Sequence, residues 1–318
     1  MTPTQLRAFV AVVRLGSVKD AAAELGVTES AVSLHVGQLR RELDDQLFTR
    51  TGTGLAFTPG GLRLASRATE LLGLQYRTIR EVNQAGSGRR LLRMAASSLF
   101  AEHAAPGLIE LFANRAADLD VELRVHDTHE FDALLITRAV DLAIGPKPTT
   151  LSDAMVSVAF LHYQLVLVAG PGHHLAGIEV RADQLRRQTW LLGPSAVSDD
   201  GVVRTMLQRF DVPEVNQRIF QSHAAALEET KHDAGIALAL ASAVADDVTH
   251  GRLVRLAGPG VQGDGVWSAM TLPPHSVVPA AAELVRFVTT PRATQAMLRG
   301  VGVTIGRFRP SVHVTLWS

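Results

Sequence analysis

The chain has 318 residues, 47% of them hydrophobic, and its 31 basic residues balance 31 acidic ones, the composition of a globular protein long enough for about two domains plus a small one. It holds no cysteine, which excludes disulfides, thiol catalysis, cysteine-zinc sites and thiol redox sensing. Charge is unevenly spread: residues 1–93 carry 13 Lys and Arg against 8 Asp and Glu, and the remainder 18 against 23, so a head of net +5 precedes a body of net −5, as one nucleic-acid-binding end requires. The first residues hold no cationic leader with an apolar core, and the longest apolar run, residues 234–245, is too short to span a bilayer. A cytoplasmic protein without a membrane partner is expected.

Thr2-Pro3-Thr4-Gln5 opens the first helix with a capping residue, a proline in the first turn and a Gln placed for a capping box. Leu6, Phe9, Val10 and Val13 give it one apolar face. Ser17 caps a second helix that runs to Leu25, with Asp20 placed to reach back to it; Ala21 to Ala23 lets another helix approach, and Gly26-Val27 turns the chain. Thr28 caps a third helix, whose Val32, Val36, Leu39 and Leu43 step by four, three and four into one buried stripe. The opposite face carries Glu29, Ser30, Ser33, Leu34, His35 and Gln38, mostly short or amide side chains of the kind that meet base edges in a major groove. Two packed helices of any all-helical domain would show the same periodicity. Residues 47–61 then place two strand-like pieces around a Gly-rich tip, a β-hairpin wing that carries Arg50 and Thr51.

Thr58 and Pro59 start a long helix with Leu64, Ala65, Ala68, Leu71, Leu72, Ile79 and Val82 on its apolar side. Such a helix either packs on its own winged domain or pairs with its copy in a second subunit. Residues 85–90, Ala-Gly-Ser-Gly-Arg-Arg, read as a flexible hinge.

From Leu91 onward, short apolar runs at 91–95, 121–125, 141–144, 165–169, 190–192, 219–222, 236–240 and 266–270 alternate with helical stretches such as 107–115, 130–137 and 202–210. This is the pattern of an α/β fold with largely parallel sheets, in which ligands sit beyond the strand carboxyl ends. The first strand ends in Ser97-Ser98 where a helix begins; their hydroxyls either bind a carboxylate together with the free amides there, or cap the helix. Residues 258–263 match the dinucleotide fingerprint by letter, but they lead into a strand and hold Pro259 within the turn. His173 and His174 should diverge, and no further ligand lies at metal spacing. With no Walker loop, nucleophile elbow or His-Glu-x-x-His helix, neither catalysis, a metal nor a cofactor is expected.

The N-terminal stretch resembles the LysR-type transcriptional regulators, through Phe9, Gly16-Ser17, Ala21-Ala22, Leu25, Val27, Val32-Ser33, Leu39, Leu43, Leu47-Phe48, Arg50, Thr58 and Gly61 in the family's order. The remainder resembles that family's effector half, built like a type 2 periplasmic binding protein, through residues 141–145, 165–168, 172–176, 234–238 and 251–254. The resemblance implies a mostly α winged helix-turn-helix domain over 1–61, a linker and dimerisation helix with hinge over 58–90, a two-lobed effector domain over 91–300 whose second lobe spans about 162–270, and a tail over 301–318. It implies a regulator that binds double-stranded promoter DNA as a dimer assembling into a tetramer, modulated by a small molecule held between the lobes. Arg50 becomes the leading phosphate or minor-groove contact. Thr128, and more loosely Ser195, Ser198 and Ser222, join Ser97 and Ser98 in the effector pocket, for which a carboxylate-bearing metabolite is expected. Some positions depart from the family. Glu29, Leu34, Gly37 and Thr53 stand where Gln or basic residues are frequent, which lowers the number of phosphate contacts. Glu29 either accepts from a cytosine amino group or complements the helix dipole. Asp233 stands where a small residue is usual. For residues 91–300, a transport-type solute-binding protein with a fused helical domain is the alternative.

Overall fold

The structure is a computed structural model that describes residues 1–299 except 52, 53, 86, 87, 117, 150, 153, 199 and 200. Two sequence readings therefore lie outside the described residues: the hinge glycine and serine at 86 and 87, and the tail over 301–318. Thr53 lies outside them too. The chain divides into two compact units, residues 1–87 with 136–139, and residues 88–135 with 140 onward.

The first unit begins with α1 (Pro3–Leu15), whose cap is the expected box: Thr2 Oγ1 accepts from Gln5 N–H at 3.3 Å and Gln5 Oε1 accepts from Thr2 N–H at 2.6 Å. Ser17 caps α2 (Val18–Leu25) and Thr28 caps α3 (Glu29–Leu43), each accepting the N–H three residues on. Gly26, between them, adopts φ +64°, the left-handed turn that glycine enters without a Cβ penalty. Phe9, Val12, Ala21, Val32 and Leu39 are fully buried together. Leu43 departs from the expected stripe: it is 41% exposed, because it is the last residue of α3, before the left-handed cap at Asp44, where the stripe runs past its neighbours.

The wing follows as β1 (Phe48–Thr51) antiparallel to β2 (Gly54–Phe57). Phe48 anchors it, stacking on Phe9 with ring centroids 6.2 Å apart. The long helix α4 (Pro59–Ala85) starts where Thr58 Oγ1 accepts from Gly61 N–H at 2.9 Å and donates to Asp45 at 2.6 Å. A Cβ on Gly61 would stand 1.8 Å from the Leu47 carbonyl oxygen, so only glycine lets the helix start this close to the wing. Ala68 and Leu72 of α4 are buried in this unit's core, whereas Leu71, Ile79 and Val82 are exposed. Its apolar surface is thus split between a face used at home and a face left open.

The second unit is α/β. In chain order it comprises β3 (Arg90–Ala96), α5 (Ser98–His103), α6 (Ala105–Ala113), β4 (Leu119–Val125), α7 (Phe131–Ile136), β5 (Leu142–Pro146) and β6 (Val156–Ala169). After these come α8 (Ala182–Arg186), β7 (Trp190–Leu192), α9 (Val202–Arg209), β8 (Gln217–Ile219), α10 (His223–Lys231), β9 (Ile236–Leu240), α11 (Ala245–Thr249), β10 (Val254–Arg255), β11 (Gln262–Thr271), α12 (Pro279–Val288) and α13 (Pro291–Arg299). The strands run in the order β4-β3-β5-β11-β6-β9-β7-β8, with β10 also on β6.

Two parallel triplets, β4-β3-β5 and β8-β7-β9, hang on a central antiparallel pair. That pair, β6 with β11, is the key to the architecture. β5 pairs with the end of β11 at 267–270, and β9 pairs with the end of β6 at 165–169. Those two ends lie at opposite extremities of the ladder, so the triplets form two lobes joined by two strands. The ladder shifts register between Trp267 and Ser268, a bulge that bends it where the lobes meet. Trp267 is buried there between Phe100 and Tyr163, at 5.1 and 4.7 Å between centroids.

The sequence-derived strand over 219–222 is displaced. The strand covers 217–219, and Ser222 is instead the cap of α10, since its hydroxyl meets the first-turn amide of Ala225.

Candidate functional site

On α3, Glu29, Ser30, Ser33 and Leu34 are exposed, and His35 and Gln38 are half-buried. The helix therefore presents the expected face, with one residue already engaged: Gln38 Oε1 accepts from Gln5 Nε2 at 3.0 Å. Arg40 ties α3 to the wing, its guanidinium donating to the Phe48 carbonyl at 2.6 Å and lying 4.6 Å above that ring. Arg50 and Thr51 occupy β1 opposite Leu55 and Gly54; their side chains lie outside the described residues.

In the second unit a cavity of about 40 Å³ opens between the lobes, room for about three waters. Ser97, Ser98 and Thr128 line it from one lobe, and Ser195 and Ser198 from the other. Ser222 does not reach it, being held at the start of α10. Ser97 starts α5 without a side-chain capping bond, and its Oγ is buried with no partner. Thr128, 4% exposed in a 3-10 turn over Thr128–Glu130, also leaves Oγ1 buried and unpartnered. Among the described residues no acceptor meets the N–H of Ser98, Leu99 or Phe100. Buried donors without partners are rare in folded proteins, so this wall is built for something that accepts hydrogen bonds. Asp127 and Glu130 do not supply it: they cap the turn reciprocally, Glu130 Oε2 accepting from Asp127 N–H at 3.1 Å. Burial pushes the Tyr163 hydroxyl, also on the cavity, up to about 12, so that wall stays neutral.

The opposite wall is organised differently. Ser195, in a 3-10 turn over Pro194–Ala196, has Oγ 2.8 Å from His223 Nε2. His223 Nδ1 lies 2.8 Å from Glu102 Oε2, and Glu102 also accepts the first two amides of α10, from His223 at 2.9 Å and Ala224 at 2.7 Å. Burial alone would raise the Glu102 carboxyl, but the His223 ring and the two N–H donors outweigh it and bring it down to about 2. Beside it, burial brings His103 down to about 4, with the nearby Glu102 charge opposing that shift.

This relay was invisible in the sequence, where Glu102 and His223 stand 121 residues apart. It has the outline of a hydrolytic triad without the rest of one. The amides of Ala196 and Val197, which an oxyanion hole would need, already donate to the Gly193 and Pro194 carbonyls. Glu102, His103 and His223 also hold potential ligand atoms within 4.8 Å of one another. Both ring nitrogens of His223 are already engaged within the relay, however.

Two further expectations change. The rings of His173 and His174 do not diverge but lie 4.4 Å apart, in a turn where His173 Nδ1 accepts from Leu175 N–H at 3.2 Å. Asp233, unexplained by the sequence, adopts φ +60° after α10. Its carboxylate packs on Gly170 and Gly172, where added Cβ atoms would stand 2.1 and 2.4 Å from it.

A winged helix-turn-helix unit followed by a two-lobed α/β unit with a cavity at the lobe junction defines a ligand-responsive DNA-binding regulator. Known proteins agree. The sequence model of the "Bacterial regulatory helix-turn-helix protein, lysR family" matches residues 3–62, and that of the "LysR substrate binding domain" matches residues 85–291. An uncharacterized HTH-type transcriptional regulator of Mycobacterium tuberculosis is 59% identical over 322 residues, covering all of both chains. The solved structure of ArgP from Mycobacterium tuberculosis has a similar fold, with TM-score 0.57, 19% identity and coverage of 90% of this chain and 97% of that one. Full-length CbnR complexed with its target DNA gives TM-score 0.54 at 19% identity, covering 93% and 100%. The chain belongs to the LysR family of transcriptional regulators. It is a sequence-specific DNA-binding protein with an effector-binding domain. Among the described residues no helix is long and apolar enough to cross a membrane.

Proposed function

We propose that this cytoplasmic regulator reads a pseudo-palindromic operator with α3 and the wing, and that a small carboxylate-bearing metabolite between its lobes sets how it does so. One observation carries the ligand reading: the orphaned hydroxyls of Ser97 and Thr128, with the unpaired amides of Ser98 and Leu99 on the same cavity. A carboxylate offers acceptors only, with about four lone-pair sites, so it complements a wall of donors. Ser98, Ser195 and Ser198 share the cavity with them, while Ser222 acts by capping α10. No catalytic step is assigned: in the triad-like cluster of Glu102, His223 and Ser195 the nearby amides of Ala196 and Val197 are already engaged.

On the DNA side, Glu29, Ser30, Ser33, Leu34, His35 and Gln38 address base edges, and Arg50 and Thr51 the backbone. The open face of α4, with Leu71, Ile79 and Val82 exposed, pairs with a second copy. Two such dimers form the tetramer and place recognition helices about one helical turn apart. The test is calorimetric titration of the full-length protein with a panel of small carboxylates. Binding that disappears in Ser97→Ala/Ser98→Ala supports the assignment. Binding at wild-type affinity in that variant contradicts it.

A further inference from the structure

We propose that Glu102 is a specificity-determining positioning residue of the cleft: acting through His223, it turns the Ser195 wall into a hydrogen-bond acceptor, so the effector must carry a donor close to its acid group. The inference rests on the reading of this cavity as the effector site and goes further by naming the ligand class, a compact amino or hydroxy acid.

The deduction is one of hydrogen-bond polarity. Glu102 also accepts two backbone amides and is held ionised, so its oxygens only accept. The His223 Nδ1 that faces Oε2 at 2.8 Å must then carry a proton. With the ring carrying that single proton, as proposed, Nε2 is left bare, so that Ser195, 2.8 Å away, gives its proton to that nitrogen. What remains of Ser195 toward the cavity is lone pairs. His223 has no freedom to reorient: it is 5% exposed, and its ring packs so closely on Gly193 that a Cβ there would stand 2.4 Å from Cδ2.

The two walls are thus of opposite sense. One offers the unpaired hydroxyls of Ser97 and Thr128 with the amides of Ser98 and Leu99, the other an enforced acceptor. In a cavity of about 40 Å³ the two complementary groups of a ligand must sit within a few bonds of each other. An ammonium or hydroxyl next to a carboxylate meets that geometry. Glu102 lies on α5 in one lobe and His223 on α10 in the other, so this polarity exists only while the lobes are together. The three hydrogen bonds that Glu102 makes across the lobes therefore serve both ligand selection and lobe closure.

The experiment compares matched acids with and without the donor, glycine and L-lactate against acetate and propionate, by calorimetry on the full-length protein. The expected result is a preference of about tenfold or more for the donor-bearing acid. That preference should fall to within about threefold in Ser195→Ala and Glu102→Gln, while the Ser97→Ala variant loses all the acids alike. Nitrogen-15 shifts of His223 give a second readout that loosened packing alone would not move: a neutral ring protonated at Nδ1 in wild type, and proton transfer to Nε2 in Glu102→Gln. Equal affinity for donor-bearing and donor-free acids, a donor preference unchanged in Glu102→Gln, or a doubly protonated ring in wild type overturns the inference and leaves the cleft assignment standing. If none of the four acids binds, both fall.

Discussion

The two units keep their functional polar groups in opposite conditions. In the reader, Glu29, Ser30 and Ser33 lie in solvent, where water satisfies their groups at no structural expense; in the proposed reading DNA replaces that water on binding. In the effector unit, Ser97 Oγ and Thr128 Oγ1 are cut off from solvent without partners, and Ser195 is fixed by a chain of bonds reaching into the other lobe. An exposed surface gains its specificity from whatever binds it. A buried cleft has it built in beforehand, at the cost of unsatisfied groups that the scaffold must hold in place. The reader should therefore tolerate loss of a functional side chain with little change in stability. The effector unit should answer such losses through its fold as well as its ligand.

The sharpest contrast is between ion pairs. Arg93 on β3 and Asp141 form a buried pair, 9% and 6% exposed, with the carboxylate also accepting Arg93 N–H at 2.9 Å. Asp141→Ala removes the carboxylate from a buried ion pair and should destabilise the effector unit by about 3–5 kcal/mol. Breaking the exposed Arg67–Glu70 pair on α4 should change stability by less than about 1 kcal/mol. Thermal unfolding of the two variants checks this; similar losses would erase the contrast.

Acid should separate the units next. His103 is held near 4, below its usual 6.5, so the stability gained by keeping it neutral is complete above pH 6.5 and lost as pH falls toward 4. Glu102, held near 2 against an ordinary 4.5, contributes stability that is complete above pH 4.5 and fades toward pH 2. Each amounts to about 3 kcal/mol at most. Denaturant melts of the full chain should weaken in two stages on acidification. The upper stage should vanish in His103→Gln.

The difference between the units also decided what could be read in the sequence. The reader was legible because its determinants are local: caps at Thr2, Ser17 and Thr28, a turn at Gly26, and a stripe of helical period that failed only at Leu43, beyond the end of its packing. The α/β alternation was legible for the same reason. The cleft was only partly so. Ser97 and Ser98 announced themselves at a strand end, but nothing near Glu102 or His223 in sequence marks them as partners, because their meeting depends on how β6 and β11 fold the lobes together. Ser222 was misplaced through a strand read as starting two residues and ending three residues too late. Asp233 made sense only once Gly170 and Gly172 were seen against it.

Smaller effects should appear on DNA. Ser33→Ala should lose about 1–3 kcal/mol at preferred sites and flatten the ranking among sites, with the melting temperature unchanged. It is a cleaner probe than Gln38, whose loss also removes the bond to Gln5. Arg50→Ala should weaken all duplexes alike and lower the salt slope by about one unit. Competition shifts across salt concentrations separate the two behaviours.

The central claim, that a small acid held by Ser97 and Thr128 governs DNA reading by α3, is tested most directly by operator affinity. Fluorescence anisotropy would measure it for the wild type and for Ser97→Ala/Thr128→Val, each with and without the acid found by calorimetry. A ligand shifts such an equilibrium only by its differential affinity for the two states. The account predicts an acid-dependent change in wild-type Kd that the double variant lacks, with equal Kd for the two proteins when no acid is present. An acid response that persists undiminished in the double variant would contradict it.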